Sequence, residues 1–377
     1  MVIYAYRKER LEKTLRKMEE KGVDGIFTMG SALIKYFTGL FISPWTGGCG
    51  ILINKRGDII LITALCDKDM LRVEEETLGW IKEIRTWNPP LLDIPGVKFH
   101  EAVINTFREF GLTKSLIGCI FNYLPTDIFL EVKKQLPEIE FVDCTDIIDE
   151  ITSVCDNEEI ELTRRACEIA DAGMEAALSC VKPGISELQI ASIVDKTMRE
   201  KGSTYNDVTH VCSGRHILME QWPSEKLVQR GDIIKVDLHP FYKHYWADLC
   251  CTAILGKPSE EFRKMCEVIS EAAREMIEDM KPGAIVKNID IKFRKKLKSA
   301  GYEKYARWAM GHSTSTGHRA ISIHSGAENI LLPNMVICAN AYAFKPRGEG
   351  IMLEHLVLIK EKGAEVLNRF PLGLIEL

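Results

Sequence analysis

At 377 residues the chain exceeds one small core and fits two or three domains of roughly 150 residues each. Apolar residues make up 46% and charged residues 27%, an ordinary globular balance that excludes a disordered chain. A net charge of −5 gives no overall pull toward nucleic acid or an anionic membrane surface, and apolar runs such as residues 59–66 fall far short of a bilayer span.

Residues 7–21 carry Leu11, Leu15 and Met18 at helical spacing, ended by Gly22, and residues 25–28 read as a strand. Residues 51–54 and 59–63 form a hairpin with its turn at Gly57-Asp58. A strand at 115–121 and a helix at 127–136 follow. This alternation predicts an α/β domain over residues 1–150, without a catalytic constellation of its own. Twelve cysteines without a C-x-x-C pair, and an N-terminus lacking a signal peptide's apolar core, point to a reduced, cytoplasmic setting. In that setting the cysteines serve as small core residues.

The boundary falls near residues 152–157, where Asp156 and Glu159 make a capping box for a long helix running to about Ser179. Beyond it the chain repeats. Residues 168–202 align with 267–301 without a gap, at an offset of 99 (267 − 168). Lys182-Pro183-Gly184 falls on Lys281-Pro282-Gly283, Ile190 on Ile289, and Gly202 on Gly301. In each copy one helix ends at the Pro-Gly turn and a second begins, capped by Ser186 with Gln189 in the first copy and starting near Asn288 in the other. In the second of these helices Lys292, Arg294, Lys295, Lys296 and Lys298 alternate with Ile289, Ile291, Phe293 and Leu297, a solvated face on an amphipathic helix. Two β segments follow each copy, at 231–238 and 247–255 and again at 334–341 and 352–359. A duplicated helix–helix–hairpin unit over residues 151–377 implies two halves about a pseudo-twofold axis.

The first hairpin bears Asp237 and Asp248, eleven residues apart across a turn that includes His239 and His244. That spacing predicts two carboxylates side by side on an antiparallel pair. They repel unless a proton or cation lies between them, which makes manganese, zinc or iron a natural tenant. The alternative is one Asp capping a turn while the other faces water. In the second hairpin Asn340 takes the place of Asp237, and Glu354, fourteen residues on, that of Asp248. His312 lies just before this hairpin, with His324 near it. The paired hairpins single out His312 from the nine histidines.

Taken in order, these motifs resemble the pita-bread metallopeptidases and creatinases. The segments that carry the likeness are Gly231-Asp232-Ile233-Ile234-Lys235-Val236-Asp237, Ala247-Asp248, Gly311-His312-Ser313, Met335 through Asn340, and Met352-Leu353-Glu354. The resemblance covers essentially the whole chain. It implies an α/β N-terminal domain followed by an α+β pita-bread catalytic domain with internal pseudo-twofold duplication. It further implies hydrolysis of a peptide or amide-like C–N bond, of Xaa-Pro peptidase or creatinase type, on a short-peptide or small-molecule substrate. Asp237, Asp248, His312, Asn340 and Glu354 would hold one or two divalent ions. His324 would steady the tetrahedral intermediate, and Glu220 or His318 would touch substrate or move protons. A homodimer is implied, with Phe41 and Trp45 in a candidate substrate lid.

Three departures stand out. Asn340 replaces a family Glu, so the site carries one fewer negative charge and one ion, or none, becomes an alternative to two. Glu220 stands where the family peptidases place a His, and the stretch from His312 to His324 is longer than usual and includes His318-Arg319. These leave room for a metal-free, creatinase-type hydrolase of a small cationic substrate, or a lyase of the dimethylsulfoniopropionate-lyase type. A non-catalytic binding module is opposed by the three retained carboxylates.

Overall fold

Residues 25–64 place apolar side chains on both faces of successive strands, which demands cover on both sides. The computed structural model supplies it. The structure describes residues 2–40, 48–70, 81–89, 95–214, 217, 221–314, 318–346 and 348–377. The chain divides into two compact units, residues 1–152 and 153–377.

The first unit is a six-stranded mixed sheet of β1 (Gly25–Thr28), β2 (Gly50–Asn54), β3 (Ile59–Ala64), β4 (Glu83–Trp87), β5 (Leu116–Cys119) and β6 (Glu140–Asp143), in the order β4-β3-β2-β1-β5-β6. Ile26, Ile51, Ile53 and Leu61 face one core, with Met18 of α1 (Val2–Lys21), Phe37 of α2 (Ser31–Thr38) and Ile148 of a helix spanning Thr145–Ser153. Their strand neighbours Phe27, Leu52, Ile60 and Ile62 face the other, with Phe107 and Val132 from helices Phe99–Glu109 and Thr126–Gln135. This is the period of two expected of strands buried on both faces. Phe41 and Trp45, the candidate lid, lie outside the described residues. Tyr36 and Phe37, just before them, are core side chains of this unit at 2% exposure each.

The second unit shows the duplication in its backbone. Helix α3 (Asn157–Cys180) starts at the expected Asp156–Glu159 capping box, and α4 (Glu187–Glu200) at the Ser186–Gln189 box. Their counterparts are α5 (Glu260–Asp279) and α6 (Val286–Ser299), and α6 lies 99 residues after α4 at both ends (286 − 187, 299 − 200). Gly184 and Gly283 take φ of 87° and 84°, and their N–H groups donate to Val228 and Leu331. The start near Asn288 needs correction, because α6 begins at Val286 with Ile285 at its cap position and no side-chain cap. Ile291 also departs from the amphipathic reading, being 51% exposed, while Ile289, Phe293 and Leu297 are buried. Lys292 and Lys296 of the wet face pair with Asp279 and Glu275 of α5.

Both hairpins join one sheet. It contains β7 (Tyr205–Ser213), β8 (Ile233–Tyr242), β9 (Tyr245–Trp246), β10 (Leu249–Ile254), β11 (Gly311–Ser313), β12 (Val336–Phe344) and β13 (Gly350–Ile359), in the main order β11-β12-β13-β10-β8-β7. The hairpins meet where β10 pairs antiparallel with β13. One sheet face packs Ile234, Val236 and Leu238 with Ala166, Ala170 and Met174 of α3. Ala339, Ala341 and Leu353 pack with Phe262, Met265 and Ile269 of α5. Polar side chains at alternate strand positions are thereby directed to the opposite face. Among the described residues no helix is long and apolar enough to cross a membrane.

Candidate active site

Ladder register aligns a row of polar residues across five strands. His210 of β7 pairs with Asp237 of β8, Asp237 with Cys250 of β10, Cys250 with Glu354 of β13, and Glu354 with Asn340 of β12. Directly paired residues share a face, so these side chains point the same way. Asn340 and Glu354 are a direct pair across their hairpin. Asp237 and Asp248 are not: Cys250 stands opposite Asp237. The hairpin turns at Lys243-His244, with φ of 44° and 74°, so the register places Asp248 beside His239. The carboxylates still converge, with one oxygen each from Asp237, Asp248 and Glu354 and a ring nitrogen of His239 all within 4.8 Å of one another.

The group is deeply buried, Asp237 at 4%, Asp248 at 1% and Glu354 at 4% exposure. His239 Nε2 lies 3.2 Å from Asp237 Oδ1 and 3.1 Å from Asp248 Oδ1. Lys235, two residues before Asp237 on the same strand face, places Nζ 3.8 Å from Asp237 Oδ2, and His210 Nδ1 lies 3.7 Å from that oxygen. Burial works to raise the Asp237 carboxyl, but His239, His210 and Lys235 together hold it below the usual range. Asp248 is lowered in the same way, burial being outweighed chiefly by His239. At Glu354 the compensation from His239 and Lys235 is outweighed. Burial and the neighbouring Asp248 and Asp237 charges push it well above its ordinary value.

His312 Nε2 stands 3.4 Å from Asp248 Oδ2. Its Nδ1 donates to the Ser313 carbonyl at 3.1 Å, and since a carbonyl only accepts, this leaves the Nε2 lone pair facing the carboxylate. Trp246 stacks on His312 at 6.1 Å and 9°, and meets His239 edge-on at 5.1 Å and 72°. The indole thus braces both rings. Cys338 joins Asp248 and His312 in a second ligand-type cluster, but burial pushes its thiol well up, so it stays a neutral donor.

The remaining sequence candidates are placed as follows. His324 is exposed, its Nδ1 accepts from the Gly326 N–H, and it is a member of neither ligand-type group among the described residues. His318 is buried, and its neighbour Arg319 holds its guanidinium 5.8 Å from the centre of the Trp246 ring. Glu220 lies outside the described residues. Close by in sequence, Trp222 meets His210 edge-on at 5.3 Å. The residues missed by sequence reading are His239 as a member of the cluster, Lys235 and His210. The first two stand two residues from Asp237 on one strand, so a period of two could have found them. His210 needed the β7–β8 register, which no short motif announces.

Asp237 Oδ1 and Asp248 Oδ1 are buried with the His239 nitrogen near them but without a well-formed hydrogen bond, and Asn340 Oδ1 is buried without one as well. Unsatisfied buried oxygens on converging carboxylates are costly alone and suit a divalent cation, so the residues present fit a metal.

Residues 10–154 match the creatinase/prolidase N-terminal domain, and residues 161–361 match metallopeptidase family M24. The chain is 30% identical to an Xaa-Pro dipeptidase of Pyrococcus furiosus, covering 96% of this chain and 98% of that one. It is 27% identical to an Xaa-Pro dipeptidase of Pyrococcus horikoshii, over 97% and 99%. An Xaa-Pro dipeptidase structure from Bacillus anthracis shares the fold with a TM-score of 0.85 at 23% identity, over 98% and 100% of the two chains. These relatives favour neither the metal-free reading nor the lyase. The chain belongs to metallopeptidase family M24, and is a hydrolase with a creatinase-type N-terminal domain and a pita-bread catalytic domain.

Proposed function

We propose that this hydrolase cleaves short peptides at an Xaa-Pro bond with the help of a divalent metal. The observation that carries the reading is the convergence of three buried carboxylates, two with an oxygen lacking a well-formed hydrogen bond, beside a histidine whose free ring nitrogen faces them. The whole-length likeness to Xaa-Pro dipeptidases supports the substrate class.

Asp237, Asp248, His312 and Glu354 would hold the metal, which supplies Lewis acidity toward a substrate carbonyl and water. The chain's own residues do the rest. Ser313 fixes the His312 tautomer and Trp246 fixes its plane. Asn340 Oδ1 is a free acceptor for an N–H of the substrate's amino end or of water. Arg319, exposed over Trp246, offers a cation to the carboxylate of a dipeptide. His318 is the nearest described proton carrier to Arg319 in sequence, and His324 and Glu220 remain candidates for substrate contact. Short dipeptides fit a site with a cation beyond the reacting centre. We further propose a homodimer, to be checked by light scattering.

The test is release of proline from Xaa-Pro dipeptides, with and without chelator and added Mn²⁺, Zn²⁺ or Fe²⁺. Hydrolysis that falls with chelator and returns with metal is expected. Full activity after exhaustive chelation would overturn the metal's part, and no cleavage under any metal would overturn the substrate class.

A further inference from the structure

Three residues at the centre bear on how many ions it takes: Lys235, His239 and Asn340. Two ligands bound about 2.1 Å from one ion at roughly 90–109° lie about 3.0–3.4 Å apart. His239 Nε2 stands 3.2 Å from Asp237 Oδ1 and 3.1 Å from Asp248 Oδ1, within that range of both. Apart from the His239 nitrogen, nothing is aimed at those two oxygens to make a well-formed hydrogen bond, so an ion between the three groups would take up lone pairs that the protein leaves to His239 alone. Glu354 supplies a fourth donor within 4.8 Å of each of the others.

Charge points to the number of ions. The buried carboxylates of Asp237, Asp248 and Glu354 contribute three negative charges, and the fully buried Lys235 ammonium one positive. A single divalent cation with neutral histidines brings this set to zero. A second would leave two uncompensated positive charges in a site shielded from water, at high desolvation cost. Among the described residues, the ligand-type group around His312 has one carboxylate, Asp248, and the thiol of Cys338, so it is also poor in charge.

We infer that this centre holds one divalent cation per chain rather than a pair, with His239 in place of His312 as the nitrogen ligand beside Asp237, Asp248 and Glu354, and His312 facing Asp248 from outside that ligand set. The inference rests on the metal-assisted reading above. Trp246 sets the plane of the His239 ring edge-on, so the nitrogen is aimed rather than free to swing. Asn340 then has no ion to hold and keeps its carbonyl for the substrate or water.

The experiment uses the full chain stripped with chelator and titrated with Mn²⁺ or Co²⁺. Bound metal is counted by elemental analysis, affinity measured by competition with a chromophoric chelator, and Co²⁺ absorption recorded. One ion per chain is expected. His239→Ala should weaken binding about a hundredfold or more and shift the Co²⁺ bands toward fewer nitrogen donors. His239→Asn is made in parallel, and thermal melting of both variants without metal separates ligand loss from misfolding. Two tightly held ions in the wild-type chain would overturn the inference while leaving the metal-assisted reading intact. Unchanged affinity in folded His239→Ala would overturn it equally. Absence of any binding by an active wild-type chain would overturn both.

Discussion

Gly184 and Gly283 turn the chain the same way, and each hands its N–H to a residue 103 positions apart in the two halves (331 − 228). Val228 and Leu331 return the bond through their own N–H groups to Ile185 and Ala284. The symmetry stops at the side chains of the site row. The first hairpin supplies Lys235, Asp237, His239 and Asp248, whereas the second supplies Asn340 and Glu354. Duplication has kept what closes turns and buries helices, because both halves must solve the same packing problem. Charge in the centre need only balance across the two, so it is free to be divided unevenly.

The sharpest break of that division comes from its charged members. Asp248→Asn and Glu354→Gln should each lower kcat/KM for an Xaa-Pro dipeptide by about a hundredfold or more, one from each half. Equal melting temperatures for variant and wild-type chains would assign the loss to the site. A variant of either residue with wild-type turnover would remove that half from the chemistry.

Asn340→Glu makes the second hairpin more like the first. It adds a fourth carboxylate to a buried cluster whose Glu354 is already pushed upward by its neighbours. Without metal the variant should lose about 2 kcal/mol of stability in urea unfolding, as expected for an uncompensated buried charge. Added Mn²⁺ should restore more stability to it than to the wild-type chain. No change in either measurement would mean that residue 340 does not share the field of the carboxylates.

The backbone symmetry has its own test. A Cβ at Gly184 or Gly283 meets nothing within 4 Å, so replacement costs only backbone strain at positive φ. Gly184→Ala and Gly283→Ala should each cost about 1 kcal/mol and agree to within about 0.5 kcal/mol by denaturant unfolding. A large difference would show that the two turns carry unequal loads despite their matching bonds.

Much of this was legible in the sequence because it is local. The Asp156–Glu159 and Ser186–Gln189 boxes fix helix starts within four residues, and the ungapped offset fixed the second pair of helices. Asn288 misled because it is a good capping residue three positions from the true cap, where Ile285 is held instead by its bridge to Ile330. The side-by-side placement of Asp237 and Asp248 failed on turn chemistry. Lys243 and His244 adopt positive φ without glycine, so nothing marked where the hairpin closes, and the register moved by two. His210 belongs to the site through a long-range ladder pairing, which spacing within one segment does not encode.

Asp171 and Ser270 occupy equivalent places on α3 and α5 (270 − 171 = 99), both buried, and they offer the finest test of how the halves diverged. Ser270 simply donates to the Cys266 carbonyl one turn back. Asp171 instead accepts from the Arg369 N–H and Nε and from Asn368, tying the chain's end to the first half. Burial nevertheless raises its carboxyl above the ordinary value of 3.8, outweighing those donors. The folded state therefore binds this proton more tightly than the unfolded chain does. Between the raised value and 3.8, lowering the pH should favour the folded state at this position. Measured against Asp171→Asn, the wild-type chain should gain relative stability as the pH falls from neutrality through that window, and lose it on return. A relative loss on acidification would mean that the Arg369 contacts, not burial, govern Asp171, and that this link between the halves is an ion pair stabilised by its charge.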